Sequence, residues 1–111
     1  MPPEALNGPK LAALTKNLSD ELGPQGINVN VVHPALTITE TVPPVVAKVA
    51  EAQGISIEDA AAELGKDVSI GRIMTADEVA TVICFLASPR AVAVNGDPVL
   101  ASGGSKGSVY Y

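Results

Sequence analysis

Apolar residues recur at helical spacing in the first part of the chain. The leucines there are separated by three or four residues, which is the period of one face of an α-helix. They are Leu11, Leu14, Leu18 and Leu22. Pro9 suits a first helical turn, where its missing N–H is not needed, and Gly23–Pro24 is typical of a helix end. The pattern predicts a helix over residues 10–22 that packs through its leucines.

Two short apolar runs predict strands. Ile27–Val32 is rich in β-branched residues and is bounded by Gly26 and Pro34, which favours a buried strand. Asp97–Ala101 predicts a second strand, and because Pro98 cannot donate a ladder hydrogen bond, we expect this strand at a sheet edge. A strand, a long crossover and another strand favour a parallel pair with a right-handed connection.

The crossover between these strands carries signals for helices. After a threonine-rich loop over residues 34–41, Pro43–Gln53 predicts a helix that Gly54 closes. Ser56 is a candidate cap for a short helix that ends at Gly65. The sequence thus predicts two small helices between the strands.

The best local pattern belongs to the helix after residue 75. Thr75 and Glu78 have the spacing of a capping box. The apolar residues that follow at helical spacing are Val79, Val82, Ile83 and Leu86. Ser88–Pro89 predicts the end of this helix, and the whole order of elements predicts an α/β domain.

Composition narrows the possible partners. The chain has 111 residues, 3% aromatic residues, a formal charge of −5 and a pI near 4.6, so base stacking and phosphate binding are not expected. Cys84 is the only cysteine, which excludes an intrachain disulfide, and we expect it to be buried in its helix. No run has the length of a signal peptide or of a membrane span, so a cytoplasmic protein without metal, membrane or nucleic-acid partners is expected.

Three stretches of the chain together carry a family resemblance. The first is residues 10–30, KLAALTKNLSDELGPQGINVN, and the second is His33–Thr39. The third is a series of landmarks: Gly71–Arg72, Asp77–Ala80, Phe85–Ser88 and Ser102–Gly104. In this order and spacing they resemble the part of a short-chain dehydrogenase/reductase that begins at the active-site lysine.

The resemblance implies a fold and an extent. It implies the C-terminal portion of a Rossmann-like doubly wound parallel sheet, with two strands and flanking helices, as a single partial domain over residues 1–111. Family elements that precede the lysine would then be missing: the glycine-rich phosphate turn, the ribose-binding acid and the catalytic serine. We therefore expect a truncated member of the family.

The family's Tyr-x-x-x-Lys motif is incomplete here. Lys10 matches the lysine, whose charge in the family lowers the pKa of the tyrosine phenol for proton exchange with the substrate oxygen. Leu6 stands where the tyrosine would be, and leucine cannot transfer a proton. Pro9 is expected to start the helix late and so to alter the direction of Lys10. Two further departures are Ala35 in place of the loop glycine and Ser102 in place of the aspartate of Asp-Gly-Gly.

The resemblance also assigns residues to a nicotinamide cofactor, either NAD or NADP. Lys10 would reach the nicotinamide ribose, Thr37 backbone groups the carboxamide, and the Thr39 hydroxyl the pyrophosphate side, with Pro34 shaping the loop. The alternative reading is structural, because threonine hydroxyls often satisfy nearby backbone groups. A structural role is also expected for His33.

The resemblance implies NAD(P)-dependent alcohol/carbonyl interconversion, and the isolated chain is expected to be inactive. A small-molecule substrate would bind only in a completed site. A two-strand sheet is marginal by itself, so homo-oligomerisation or association with an intact family member is expected. The alternatives are a non-catalytic remnant that acts through such association and a product without a role.

Overall fold

The computed structural model describes residues 3–107, with side chains from residue 10 onward. Its first helix, α1, runs over Pro3–Leu22 and is therefore longer than the predicted helix over residues 10–22. The expectation that Pro9 starts the helix is wrong. A proline removes a single backbone donor, and the residues on both sides of Pro9 keep helical backbone.

The chain divides into two compact units, and the first comprises residues 3–33 and 82–99 of the described part. Its helix α1 buries Thr15 and Ser19, each 4% exposed, whereas Leu11 and Leu14 are 45% and 53% exposed. The leucine face that the pattern predicts is therefore left uncovered at these two residues. Small side chains allow close approach instead, since a Cβ added to Gly96 would lie 2.9 Å from Ser19 Oγ.

Strand β1 runs over Val31–Pro34, so it overlaps the predicted strand Ile27–Val32 at only two residues. In residues 28–30, side-chain amides make most of the hydrogen bonds that a backbone ladder would make. The Asn28 amide nitrogen donates to the carbonyls of Ala91, Val92 and Val94 at 3.0–3.3 Å. The Val29 N–H donates to Asn95 Oδ1 at 2.8 Å. The Asn28 side chain thus fixes this segment to the loop over residues 91–94.

Strand β4, Pro98–Ala101, lies where it was predicted and forms a two-stranded sheet with β1. The Gly96 N–H donates to the Val29 carbonyl at 2.8 Å, and the Val31 N–H donates to the Asp97 carbonyl at 3.1 Å. These bonds advance in the same chain direction on both segments, which is the pattern of the predicted parallel pair.

The second unit comprises residues 34–81 and 100–107, and it contains the predicted pair of small helices. Helix α2 runs over Pro44–Gln53 and ends at Gly54, whose φ of 63° is left-handed. Helix α3 runs over Ile57–Gly65, and the Ser56 side chain accepts the Asp59 N–H at 3.0 Å. Both caps are confirmed. The core between them consists of Val46, Ala50, Ala60 and Ile73, with six partly buried residues against it: Leu36, Ile38, Val49, Ile55, Ala61 and Leu64.

A second parallel pair lies in this unit and was not predicted. Strand β2, Thr37–Ile38, lies in the predicted threonine-rich loop and pairs with β3, Met74–Thr75. Helix α4 follows over Ala76–Leu86, and a 3₁₀ turn over Pro89–Ala91 comes after its end. Cys84 on α4 is exposed, so its predicted burial is wrong. Within residues 3–107 no helix is long and apolar enough to cross a membrane.

Candidate cofactor-binding residues

Lys10 lies inside α1 and is exposed to solvent. The helix is continuous from Pro3, so residues 6 and 10 lie one turn apart, about 6 Å along the helix axis. The backbone register of Tyr-x-x-x-Lys is therefore kept, although the Leu6 side chain lies outside the described residues. The helix that would carry a tyrosine at position 6 is present, so what the chain lacks at this position is the phenol group.

The candidate loop residues belong to the second unit. Pro34 ends β1 and is exposed. Thr37 is half-buried in β2, and its hydroxyl donates to the Ala35 carbonyl at 2.8 Å. Ala35 itself has no positive φ, as is true of every non-glycine residue between 3 and 107, so it fits this loop without backbone strain.

Thr39 is exposed and closes a tight turn. Its hydroxyl donates to the Thr41 carbonyl at 2.9 Å and accepts the Thr41 N–H at 3.2 Å. A threonine hydroxyl has one donor, which is already used here. Thr39 therefore fits a phosphate oxygen only after its side chain rotates away from Thr41.

Ser102, which stands where the family motif has aspartate, makes a hydrogen bond in the turn that follows β4. Its hydroxyl oxygen accepts the Gly104 N–H at 3.1 Å, a turn that an aspartate carboxylate forms equally well. Gly103 has a φ of 74°, and a Cβ there would lie 2.5 Å from Met74 Cε. A Cβ would also lie 2.9 Å from Val68 Cγ1, so the left-handed backbone and the packing both favour glycine at this position.

An ion pair that was not predicted from the sequence supports the start of α4. Arg72 binds both carboxylate oxygens of Glu78, at 2.7 and 2.5 Å. Glu78 also accepts the Thr75 N–H at 2.9 Å, while the Glu78 N–H donates to Thr75 Oγ1 at 3.2 Å, so the predicted capping box is confirmed. The Arg72 guanidinium, with a smaller effect of the Thr75 N–H, lowers the pKa of Glu78 to about 2. The six-residue spacing of Arg72 and Glu78 matches no local sequence motif, so the pair could not be predicted from the sequence. The turn between the two residues sets the distance between their side chains.

The part of the chain that the structure describes contains no candidate metal site. Residues 3–107 contain no group of three or more His, Cys, Asp or Glu side chains that could hold an ion. His33 is half-buried at β1. The residues that the family resemblance assigns to a cofactor are Lys10 in the first unit and the 34–39 loop in the second.

Two curated proteins are similar to most of this chain. The short-chain reductase protein NovJ of Streptomyces niveus is 34% identical over 94 residues, which cover 85% of this chain and 34% of the relative. The NADPH-dependent reductase BacG of Bacillus subtilis is 32% identical over 95 residues, covering 86% of this chain and 37% of the relative. The chain thus spans a little over a third of the length of these relatives.

A solved structure is also similar to this chain. A short chain dehydrogenase family protein from Francisella tularensis has a TM-score of 0.73 and 28% identity, over 86% of this chain and 39% of that one. The Rossmann-like α/β class is thereby confirmed. The family model described as Enoyl-(Acyl carrier protein) reductase matches residues 9–106. This chain belongs to the short-chain dehydrogenase/reductase family.

Proposed function

We propose that this chain supplies part of the site of an NAD(P)-dependent oxidoreductase that interconverts an alcohol and a carbonyl, and that the chain alone does not catalyse the reaction. The observation that carries the proposal is Leu6, one turn before Lys10 on the continuous helix α1. A nicotinamide cofactor would exchange a hydride with the substrate carbon. The substrate oxygen needs a matching proton donor, and leucine provides none.

Family membership supports the oxidoreductase class, and BacG carries the description NADPH-dependent reductase. In this chain Lys10 would bind the nicotinamide ribose through its ammonium group. Pro34 would shape the cofactor loop, in which Thr37 would face the carboxamide and Thr39 the pyrophosphate. Because these residues come from about a third of a family member, the cofactor site would form only when the rest of the fold is supplied.

A cofactor titration tests this proposal. The chain would be mixed with the part of BacG that lies outside the matched 95 residues, and NADPH binding would be followed by nicotinamide fluorescence. We expect saturable binding in the mixture and none by the chain alone. Lys10→Ala should weaken binding about tenfold, the size expected for a charged hydrogen bond. Lys16→Ala is the matched control, because Lys16 is also exposed on α1 but pairs with Asp20.

The role of Leu6 is tested in the same mixture with benzaldehyde as carbonyl probe. We expect no NADPH oxidation with Leu6 and measurable oxidation with Leu6→Tyr, since the phenol would return in the existing helical register. Oxidation by the unsubstituted mixture would show that leucine at position 6 does not prevent catalysis in the completed site, and would contradict the role given to Leu6. Absence of cofactor binding in every mixture would contradict the oxidoreductase assignment and favour a non-catalytic role.

A second candidate function is self-association through α1. Leu11 and Leu14 remain 45% and 53% exposed, which is unusual for neighbouring leucines on one helix face. We expect a homodimer by size-exclusion chromatography with light scattering, and loss of the dimer in the Leu11→Gln, Leu14→Gln double variant. Asn17→Gln, an exposed change on the same helix, is the control. A folded monomer at micromolar concentration would exclude this candidate.

A further inference from the structure

The loop that leads into β4 contains an Asn–Gly pair, Asn95–Gly96. Glycine after asparagine leaves its backbone nitrogen open to attack the asparagine side-chain carbon Cγ, since no Cβ shields it. The sequence contains one other such pair, Asn7–Gly8, and it lies within helix α1. Helical dihedral angles keep the following nitrogen away from the asparagine Cγ. Asn95–Gly96 lies outside the helices, in a bend where Gly96 has a φ of 76°.

The packing of the first unit requires the glycine of this pair. A Cβ at Gly96 would lie 2.9 Å from Ser19 Oγ and 3.1 Å from Lys16 Cδ, and the left-handed φ also favours glycine. Position 95 requires an acceptor, because Asn95 Oδ1 accepts the Val29 N–H at 2.8 Å. The fold thus maintains a chemically reactive pair next to α1.

The folded structure holds both reacting groups of the pair on one residue, Val29. The Val29 N–H binds the side-chain oxygen of Asn95, and the Val29 carbonyl accepts the Gly96 N–H at 2.8 Å. Both residues of the pair are half-buried. The Gly96 nitrogen can attack the Asn95 side chain only after its N–H has left Val29. The contacts of Val29 therefore oppose the reaction in the folded chain.

Asn30 holds the chain on both sides of the pair. Its amide nitrogen donates to the Val94 carbonyl at 2.9 Å, and its Oδ1 accepts the Asp97 N–H at 3.1 Å. These bonds fix the residues immediately before and after Asn95–Gly96. Opening of the bend therefore requires that the bonds of Asn30 break as well as those of Val29.

We propose that Asn95–Gly96 is a deamidation site that the folded first unit protects, and that its conversion to isoaspartate separates residues 96–97 from residues 29–31. The Gly96 nitrogen attacks Asn95 Cγ, the Cγ–Nδ2 bond breaks, and ammonia leaves with the proton of the Gly96 N–H. Water then opens the succinimide ring. Opening at Cγ gives aspartate, and opening at the main-chain carbonyl of residue 95 gives isoaspartate. The reaction needs water alone, so the inference does not depend on the proposed function.

The two products differ in their effect on the pairing. Aspartate keeps the course of the main chain and an acceptor for the Val29 N–H. Isoaspartate directs the main chain through Cβ and Cγ, which adds a carbon atom before Gly96. The Gly96 N–H binds the Val29 carbonyl and the Val31 N–H binds the Asp97 carbonyl, so both bonds depend on the spacing of the chain. An inserted atom disrupts such a register.

Mass spectrometry of tryptic peptides tests the site. Asn95 is the only asparagine between Arg90 and Lys106, so a gain of about 1 Da in peptide 91–106 reports its conversion. At neutral pH we expect conversion in native buffer to be at least about tenfold slower than in urea, because the contacts of Val29 must open first. Peptide 1–10, which contains Asn7–Gly8, reports the intrinsic rate of such a pair in the urea sample.

A pair of variants tests the protection. Asn30→Ala removes the bonds on both sides of the pair and should raise the rate in native buffer at least about threefold. Asn17→Ala is the matched control, because it removes an exposed amide from α1, and it should leave the rate within about twofold. The ratio of native to urea rates in the unsubstituted chain gives a measurement that does not depend on the folding of either variant.

Hydrogen exchange tests the consequence of the modification. The isoaspartate form, separated by ion-exchange chromatography, should lose protection at the amides of Val29 and Val31. Asn95→Asp is the matched control, since it has the same charge with an unaltered main chain and should keep both amides protected.

Three outcomes would overturn the inference. Equal conversion in native buffer and urea would show that the fold does not protect the pair. Absence of conversion at Asn95 in urea would show that the pair is not reactive. Full protection of the Val31 amide in the isoaspartate form would show that the modification leaves the pairing intact.

Discussion

The two units of this chain bury different kinds of side chain. The second unit closes a core of its own around Val46 and Ala60, both fully buried. In the first unit, α1 buries the hydroxyl side chains of Thr15 and Ser19. Six of its large apolar side chains stay exposed: Leu11, Leu14, Ile27, Ile83, Phe85 and Val92. The second unit exposes five large apolar side chains as well: Val42, Val45, Ile57, Ile70 and Leu100. The difference between the units therefore lies in the buried apolar core that the second unit has.

This difference agrees with the self-association through α1 that we propose. In the first unit, Leu11 and Leu14 on α1 form an exposed apolar surface. In the second, the caps at Ser56 and Thr75 define the helix ends. Apolar burial is the main driving force of both folding and association, so a unit with an unburied apolar surface still has that free energy to gain from a partner.

The contrast between the two units predicts that, among the substitutions considered, one at Val46 lowers the free energy of unfolding most. Val46→Ala removes fully buried carbons, so we expect the free energy of unfolding to fall by about 2 kcal/mol. Val45 is the matched control, because it lies next to Val46 on α2 and is 44% exposed; Val45→Ala should cost less than about 0.5 kcal/mol. Urea unfolding followed by circular dichroism measures both.

Leu14→Ala extends this test to the first unit. It removes more carbon atoms than Val46→Ala, yet Leu14 is 53% exposed, so in the monomer we expect a cost below about 0.5 kcal/mol. A loss from Leu14→Ala as large as that from Val46→Ala in a monomeric sample would contradict the contrast between the units.

A smaller effect is expected at the start of α4. Thr75→Ala removes the acceptor of the Glu78 N–H, and loss of such a cap costs about 1 kcal/mol of unfolding free energy. Thr81→Ala is the control on the same helix, since the Thr81 hydroxyl donates to the Asp77 carbonyl without capping it. Thermal unfolding should separate the two variants, and equal melting temperatures would show that the box does not stabilise the helix start.

The sequence predicted local features of this fold better than long-range ones. Gly54, Ser56 and the Thr75–Glu78 box act within one helical turn, so their residues alone define the ends of α2, α3 and α4. The start of β1 depends instead on amides, such as that of Asn28, that bond across more than sixty residues of sequence. No local pattern reports such partners, and for this reason the strand was predicted four residues too early.

The candidate site, too, could be predicted in its local features but not in its long-range ones. Lys10 and Leu6 could be placed one turn apart from the motif, and the continuous helix α1 agrees with that spacing. Periodicity identifies the residues that share a helix face but not the surface against which that face packs. The pattern therefore could not show that leucines of α1 would be exposed. Nor could it show that the Thr39 hydroxyl is occupied by Thr41.

The last prediction concerns pH and belongs to the second unit. Arg72 and the Thr75 N–H lower the pKa of Glu78 from 4.5 to about 2. A carboxylate with a lowered pKa in the folded state stabilises that state above its unfolded pKa, and this stabilisation is lost as pH falls toward the folded value. Stability should therefore decline between about pH 4.5 and pH 2, and Arg72→Gln should flatten this part of the profile. Arg90→Gln removes the same charge without touching Glu78 and should keep the slope of the unsubstituted chain. Urea midpoints across this range give the measurement, and parallel profiles for the two variants would show that the Arg72–Glu78 pair does not contribute to the acid sensitivity of the fold.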